Sequence, residues 1–132
     1  MSNLLIPRRL SREFINAHRQ SYNFIYADTI HHDGAGGQAT AARGCFNTYP
    51  VPVKLMKCYN DEKSFMTDAM YEENCKWILR DIQHVPKDKE IIVFPKIGLG
   101  RSELNVRAPR TYEFLRLCLL DLRRIIVNVE DI

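Results

Sequence analysis

Gly34, Gly36 and Gly37 fall within four residues, and farther along the chain Gly98 and Gly100 stand two positions apart with Arg101 directly behind them. Glycine has no Cβ, so such stretches let backbone N–H groups approach an oxyanion closely, and a helix opening after them adds the positive end of its dipole. The Arg101 guanidinium adds a charged donor of the kind that grips phosphate. Two such cradles on one cleft would clamp a diphosphate. The expected ligand-binding residues are Asp28, Gly34, Ala35, Gly36, Gly37 and Gln38 in the first stretch, and Ile97, Gly98, Leu99, Gly100, Arg101 and Ser102 in the second. Asp28, Asp33 and Glu103 are the acids near enough in sequence to activate a water, and they are the catalytic candidates. Asp28 has a second reading as the cap of a local turn, and His31 and His32 are either acid–base groups or solvated loop residues.

The established glycine motifs do not fit. Gly34-Ala35-Gly36-Gly37 is not G-x-G-x-x-G, and no lysine follows it as a P-loop requires, which argues against dinucleotide-fold cofactors and against nucleoside triphosphate hydrolysis. The competing explanation is that the glycines only make tight turns.

The elements that must position these loops are legible in the periodicity. Ser11 is a plausible N-cap for a short amphipathic helix over Arg12 to Arg19, and Tyr22 to Ala27 reads as a buried strand ending at Asp28. After the first loop, Gln38 to Ala42 suits a tightly packed helix stopped by Gly44; Gln38 near its start faces the ligand, and Arg43 near its end serves the helix dipole. Pro50 and Pro52 restrict Phe46 to Lys57 to an edge strand or an extended loop. From Ser64 a helical stripe of Phe65, Met66, Ala69, Met70, Trp77, Ile78 and Ile82 runs on, with Trp77 in the core and the helix ending before Pro86. Glu90 to Pro95 is a short apolar strand that enters the second loop, Pro109 opens a helix to Leu122, and Arg124 to Val129 forms a last strand. Alternating strands and helices predict an α/β fold: one domain over residues 1–132, with 1–21 as an N-terminal extension and short helix, and a mixed, largely parallel sheet flanked by helices. Ligands of such sheets bind at the carboxyl edge of the strands.

Composition narrows the function classes. At 132 residues and 45% hydrophobic content the chain holds one core, and its apolar runs are too short for a membrane span. The N-terminal stretch has the wrong order of charge and apolarity for a secretory signal, so the expected location is the cytoplasm. A net charge of +3 is far from a dedicated DNA-binding domain and suits an anionic small ligand. Cys45, Cys58, Cys75 and Cys118 are widely spaced and read as reduced thiols; neither a metal site nor a resident cofactor is expected. Arg107, Arg110, Arg116, Arg123 and Arg124 form a basic or simply solvated face, without the interleaved exposed aromatics of single-strand binders, which leaves nucleic acid an unfavoured partner.

The run Phe94-Pro95-Lys96-Ile97-Gly98-Leu99-Gly100-Arg101-Ser102-Glu103-Leu104 is similar to the P-x-I-G-x-G-x-x-x-L phosphate loop of macrodomains, in the branch that removes terminal ADP-ribose from proteins. Gly34 to Ala39 resembles that family's other glycine loop, the order of elements agrees over Tyr22 to Val129, and the Gly-Gly-Gln-Ala stretch resembles short macro-like proteins of bacteriophages. The resemblance implies ADP-ribose or a related nucleotide in a cleft between the loops, the second holding the diphosphate and distal ribose and the first passing beneath that ribose. It implies a reader or sequestering protein, or a weak ADP-ribosyl hydrolase, working in a host cytoplasm if phage-encoded. Two departures stand out. Ser102 occupies the place of the branch's catalytic aspartate and cannot supply a carboxylate's basicity, and Lys54 and Lys57 lie in the region of its nucleophilic lysine with no motif to choose between them. Two further functions remain open: an interaction protein that docks on a host or partner protein with the loops structural, and an RNA-binding module.

Overall fold

A computed structural model describes residues 10–34, 36–58, 61–122 and the backbone of 125–126. Helix α1 (Arg12–Ala17) begins where the Ser11 hydroxyl accepts the Phe14 N–H at 3.1 Å, the N-cap its residue type predicts. Then follow β1 (Tyr22–Thr29), α2 (Gly37–Ala42), β2 (Thr48–Lys54), two single 3₁₀ turns (Glu62–Ser64 and Asp68–Met70), α3 (Tyr71–Ile82), β3 (Glu90–Val93), α4 (Leu104–Arg107), α5 (Pro109–Leu120) and β4 (Ile125–Ile126). The strands form one sheet in the order β2-β1-β3-β4. Every described pairing is parallel, in keeping with the largely parallel, helix-flanked sheet expected from sequence.

Strand periodicity divides the core in two. Ile25, Val51, Val53, Ile91 and Val93 face α3 and α5 with Ile78, Leu115 and Leu119, while Phe24, Tyr26, Ile92 and Phe94 face α1 and α2 with Ile15, Ala39 and Ala42. Burial on both sides is why β1 and β3 read as continuous apolar runs. Thr48–Lys54 lies at the sheet edge as its prolines require, with Pro50 and Pro52 opposite Tyr26 and Asp28.

Two sequence expectations are corrected here. The helix expected from Ser64 starts at Tyr71, because Asp68 is used elsewhere: its carboxylate accepts the N–H groups of Arg110 and Thr111 at 2.9 and 3.0 Å and caps the start of α5. Asp68 itself opens a single 3₁₀ turn, Asp68–Met70, and a second such turn, Glu62–Ser64, stands before it. Trp77 is half-buried instead of core, with the Arg80 guanidinium 4.9 Å above its ring. Of the expected last strand, Ile125–Ile126 pairs with β3, and Arg124 and Val127 to Val129 lie outside the described residues. Among the described residues no helix is long and apolar enough to cross a membrane.

The strand order fixes where a ligand can enter. The chain leaves β1 toward β2 on one side and leaves β3 toward β4 on the other, so the connections diverge between the carboxyl ends of β1 and β3. Such a switch point opens a crevice. The two glycine loops are the segments that leave those ends.

Candidate functional site

The first loop is built around Asp28. Its side chain is wholly buried; Oδ1 accepts the N–H groups of Thr29 and Gly34 at 2.7 and 2.8 Å, and Oδ2 accepts from Arg43 Nη2 at 2.8 Å. Asp28 thus takes the turn-capping role, and Arg43, expected to serve a helix dipole, is corrected to the counter-ion of this carboxylate. Burial and the adjacent Asp28 push the Tyr26 hydroxyl up to about 12. A Cβ at Gly34 would sit 2.7 Å from Asp28 Oδ1, so this glycine is demanded by the carboxylate's approach.

Asp33 is exposed and turns back to Thr29, whose hydroxyl donates to it at 2.6 Å and holds its carboxyl below the usual aspartate range. The outer limb of the loop is tied to α3. Arg80 Nη2 donates to the Ile30 carbonyl at 2.8 Å, and His32 Nε2 lies 3.1 Å from both carboxylate oxygens of Asp81, while His31 is exposed.

The second loop is a chain of tight turns. Leu99 N–H reaches Lys96 O, Glu103 N–H reaches Gly100 O and Asn105 N–H reaches Gly98 O. Lys96, Gly98 and Glu103 all have positive φ, at 57°, 81° and 51°. Buried Ile97 and Leu104 pin the loop's two ends to the core. At Gly98 a Cβ would press on Leu104 and Tyr112 at 3.3 Å as well as strain the backbone. Gly98→Ala is therefore expected to lower stability by about 1–2 kcal/mol, read as an earlier midpoint at unchanged slope in urea. An unchanged midpoint would mean the loop relaxes freely.

Between the loops lies a cavity of 270 Å³. Its walls take Ala27, Asp28 and Thr29 from β1, Gly34, Gly36, Gly37 and Gln38 from the first loop, and Gly98, Gly100, Arg101 and Ser102 from the second. Val53, Lys54 and Lys57, at and beyond the end of β2, with Ala39 and Lys96, complete it. Ile97, Leu99, Asp33 and Glu103 are not among its lining residues, Glu103 lying 3.6 Å from Arg107, and Ala35 lies outside the described residues. The charge balance is one-sided: Lys54, Lys57, Lys96 and Arg101 border the cavity, and its one carboxylate, Asp28, is already compensated by Arg43.

Lys96 was not anticipated, and Lys54 and Lys57 could not be chosen by motif. The signal that selects Lys54 is register: in the parallel ladder Thr29, the last residue of β1, pairs with Lys54. Lys54 is 3% exposed, with Nζ donating to the Cys58 carbonyl and lying 4.6 Å from the Phe65 ring centroid. Burial, aided by nearby Arg107, holds its amine below the ordinary lysine range.

A second cavity of 670 Å³ abuts the first across Gly37 and Gln38, with apolar walls from Leu10, Ala41, Phe94 and Pro95. Among the described residues no three His, Cys, Asp or Glu side chains come together to hold a metal ion.

The pattern of one protein family, described as a family of unknown function (DUF7831), matches residues 6–117, and the chain belongs to that family. No curated protein and no solved structure matches it.

Proposed function

We propose that this member of the DUF7831 family binds ADP-ribose or a closely related phosphate-bearing nucleotide in the cleft between its two glycine loops. The observation that carries the reading is the meeting of both loops and four cationic side chains around one cavity at the β1/β3 switch point. One buried cation, Lys54, three exposed ones at the rim and the backbone amides favour a multiply charged oxyanion, and the 270 Å³ chamber is at the small end of ligand pockets, which suits a sugar-phosphate portion. The adjoining apolar chamber suits a base, which no simple phosphate would need. The macrodomain resemblance, carried by the same two loops, points to the same ligand class.

The geometry favours a reader or sequestering protein over a hydrolase. A water-activating group must accept a proton, yet Asp28 is committed to two backbone N–H groups and Arg43, Asp33 to Thr29, and Glu103 lies beside Arg107. Ser102, on the wall, offers a hydroxyl in place of a carboxylate.

Calorimetry tests the binding directly. ADP-ribose should bind wild-type protein in the micromolar range, and Gly100→Glu should abolish the heat, because it adds a carboxylate to a cationic cleft at a position where a Cβ meets nothing within 4 Å. Silence of the wild type at millimolar ADP-ribose would remove the reading and leave a docking protein with structural loops.

A further inference from the structure

We infer that Gln38 is a positioning residue: its side-chain amide replaces a rung of the β1–β3 ladder and so sets the distance between the two glycine loops. The inference rests on the proposed nucleotide cleft and deepens it, by assigning the selectivity for a diphosphate over a single phosphate to one side chain.

The ladder between β1 and β3 proceeds normally to the pair Ile25 and Val93, after which Phe94 N–H donates to Ile25 O at 2.9 Å. In a parallel ladder the next N–H on that edge of β1 belongs to Ala27 and would be paid back to β3. Here Ala27 N–H donates instead to Gln38 Oε1 at 2.8 Å, and Gln38 Nε2 donates to Pro95 O at 3.0 Å. A carboxamide has the same donor and acceptor as a peptide unit, so it satisfies both strand ends while holding them apart by its own width. The strands part where the cavity opens, and Gln38 borders both chambers.

The residue around it cannot do this work. Phe94 N–H is already given to Ile25 O, and Gly37 places no side chain in the gap. The first loop leaves β1 after Thr29, two residues past Ala27, and the second follows β3 from Pro95 onward, so the Gln38 amide links the two chain ends from which the cradles depart. Moving either strand end moves one cradle relative to the other. A ligand with two phosphates must touch both cradles at a fixed separation, whereas a monophosphate can settle in one.

Gln38→Met keeps the side-chain length and removes both hydrogen bonds, and Gln38→Asn keeps both groups on a chain one methylene shorter. ADP-ribose and ribose 5-phosphate would be titrated into wild type and both variants by calorimetry, with amide exchange followed at Ala27. For Gln38→Met, ADP-ribose affinity should fall about 30-fold, the loss of two net hydrogen bonds' worth of positioning, while ribose 5-phosphate stays within about threefold. Ala27 should lose exchange protection while the Phe94 amide keeps its own. Gln38→Asn, which cannot span the same gap, should shift the same ratio in the same direction. Equal losses for both ligands, or an unmoved ratio in a wild type that binds both, would overturn the spacer role alone. A wild type that binds neither ligand would take down the nucleotide reading and this inference together.

Discussion

Replacing Asp28 with alanine should lower the unfolding free energy by about 3–4 kcal/mol. The carboxylate is the interior post of the first loop: it holds the Thr29 and Gly34 N–H groups on one oxygen and Arg43 on the other. Removing it leaves two backbone donors and a guanidinium without the acceptor that brought them inside, and each orphaned buried group carries its full desolvation cost. Arg43 is partly open to solvent and can regain water, which keeps the loss toward the lower end. The thermal midpoint should fall by roughly 10 °C for a chain of this size. Asp28→Asn should fall between the two, since an amide oxygen still accepts from Gly34 while the amide nitrogen faces Arg43. The part of the loss owed to the two buried backbone N–H groups should persist in 1 M salt, whereas the part owed to half-open Arg43 should shrink. A change below 1 kcal/mol in Asp28→Ala would show that the loop does not depend on its post.

That post also shows where sequence reasoning stops. Asp28 was visible as an acid at a strand end, and its two readings, ligand partner and turn cap, differ only in where Gly34 and Arg43 lie in space. Patterns of period 2 and 3.6 are local, and they placed both loops, the edge strand with its prolines, and the helix opened by Pro109. What they could not show were contacts made across the chain. Asp68, within the stretch expected to be helical, instead caps α5 at Arg110, forty-two residues on, and α3 starts seven residues later than the periodicity suggests. Gln38 looked like a ligand contact because it opens a helix after glycines, yet its partners are the ends of two strands. Lys54 and Lys57 carried no motif because their place on the cleft wall follows from the register of β2 against β1.

The glycines divide on the same physical grounds. Gly34 and Gly98 are held by the fold, one by the approach of Asp28 and the other by a positive φ pressed against Leu104 and Tyr112. Gly37 and Gly100 have open space where a Cβ would stand, and both border the cleft. Tight turning accounts for the first pair and leaves the second unexplained, which is where room for a ligand's backbone contacts is needed.

Lys54→Met should weaken ADP-ribose binding by about 10- to 100-fold while leaving the protein at least as stable as the wild type. The two halves of this result have one cause. Nζ is buried at the end of β2, and burial holds the amine below the ordinary lysine value of 10.5. Keeping a proton there costs folding energy at neutral pH, and methionine fills the same space without that cost. In the wild type the folded chain releases this proton at a lower pH than the unfolded chain, so between the two values the unfolded state binds more protons and stability rises with pH. Lys54→Met should flatten that rise. Binding should run the other way: the protonated amine attracts the phosphates, so affinity should fall as pH climbs through the same window, and the variant should lose this dependence. A lysine that served only the fold would give the opposite pair of results, a less stable variant with unchanged affinity, and that outcome would move the binding role to Lys57, Lys96 and Arg101 at the rim.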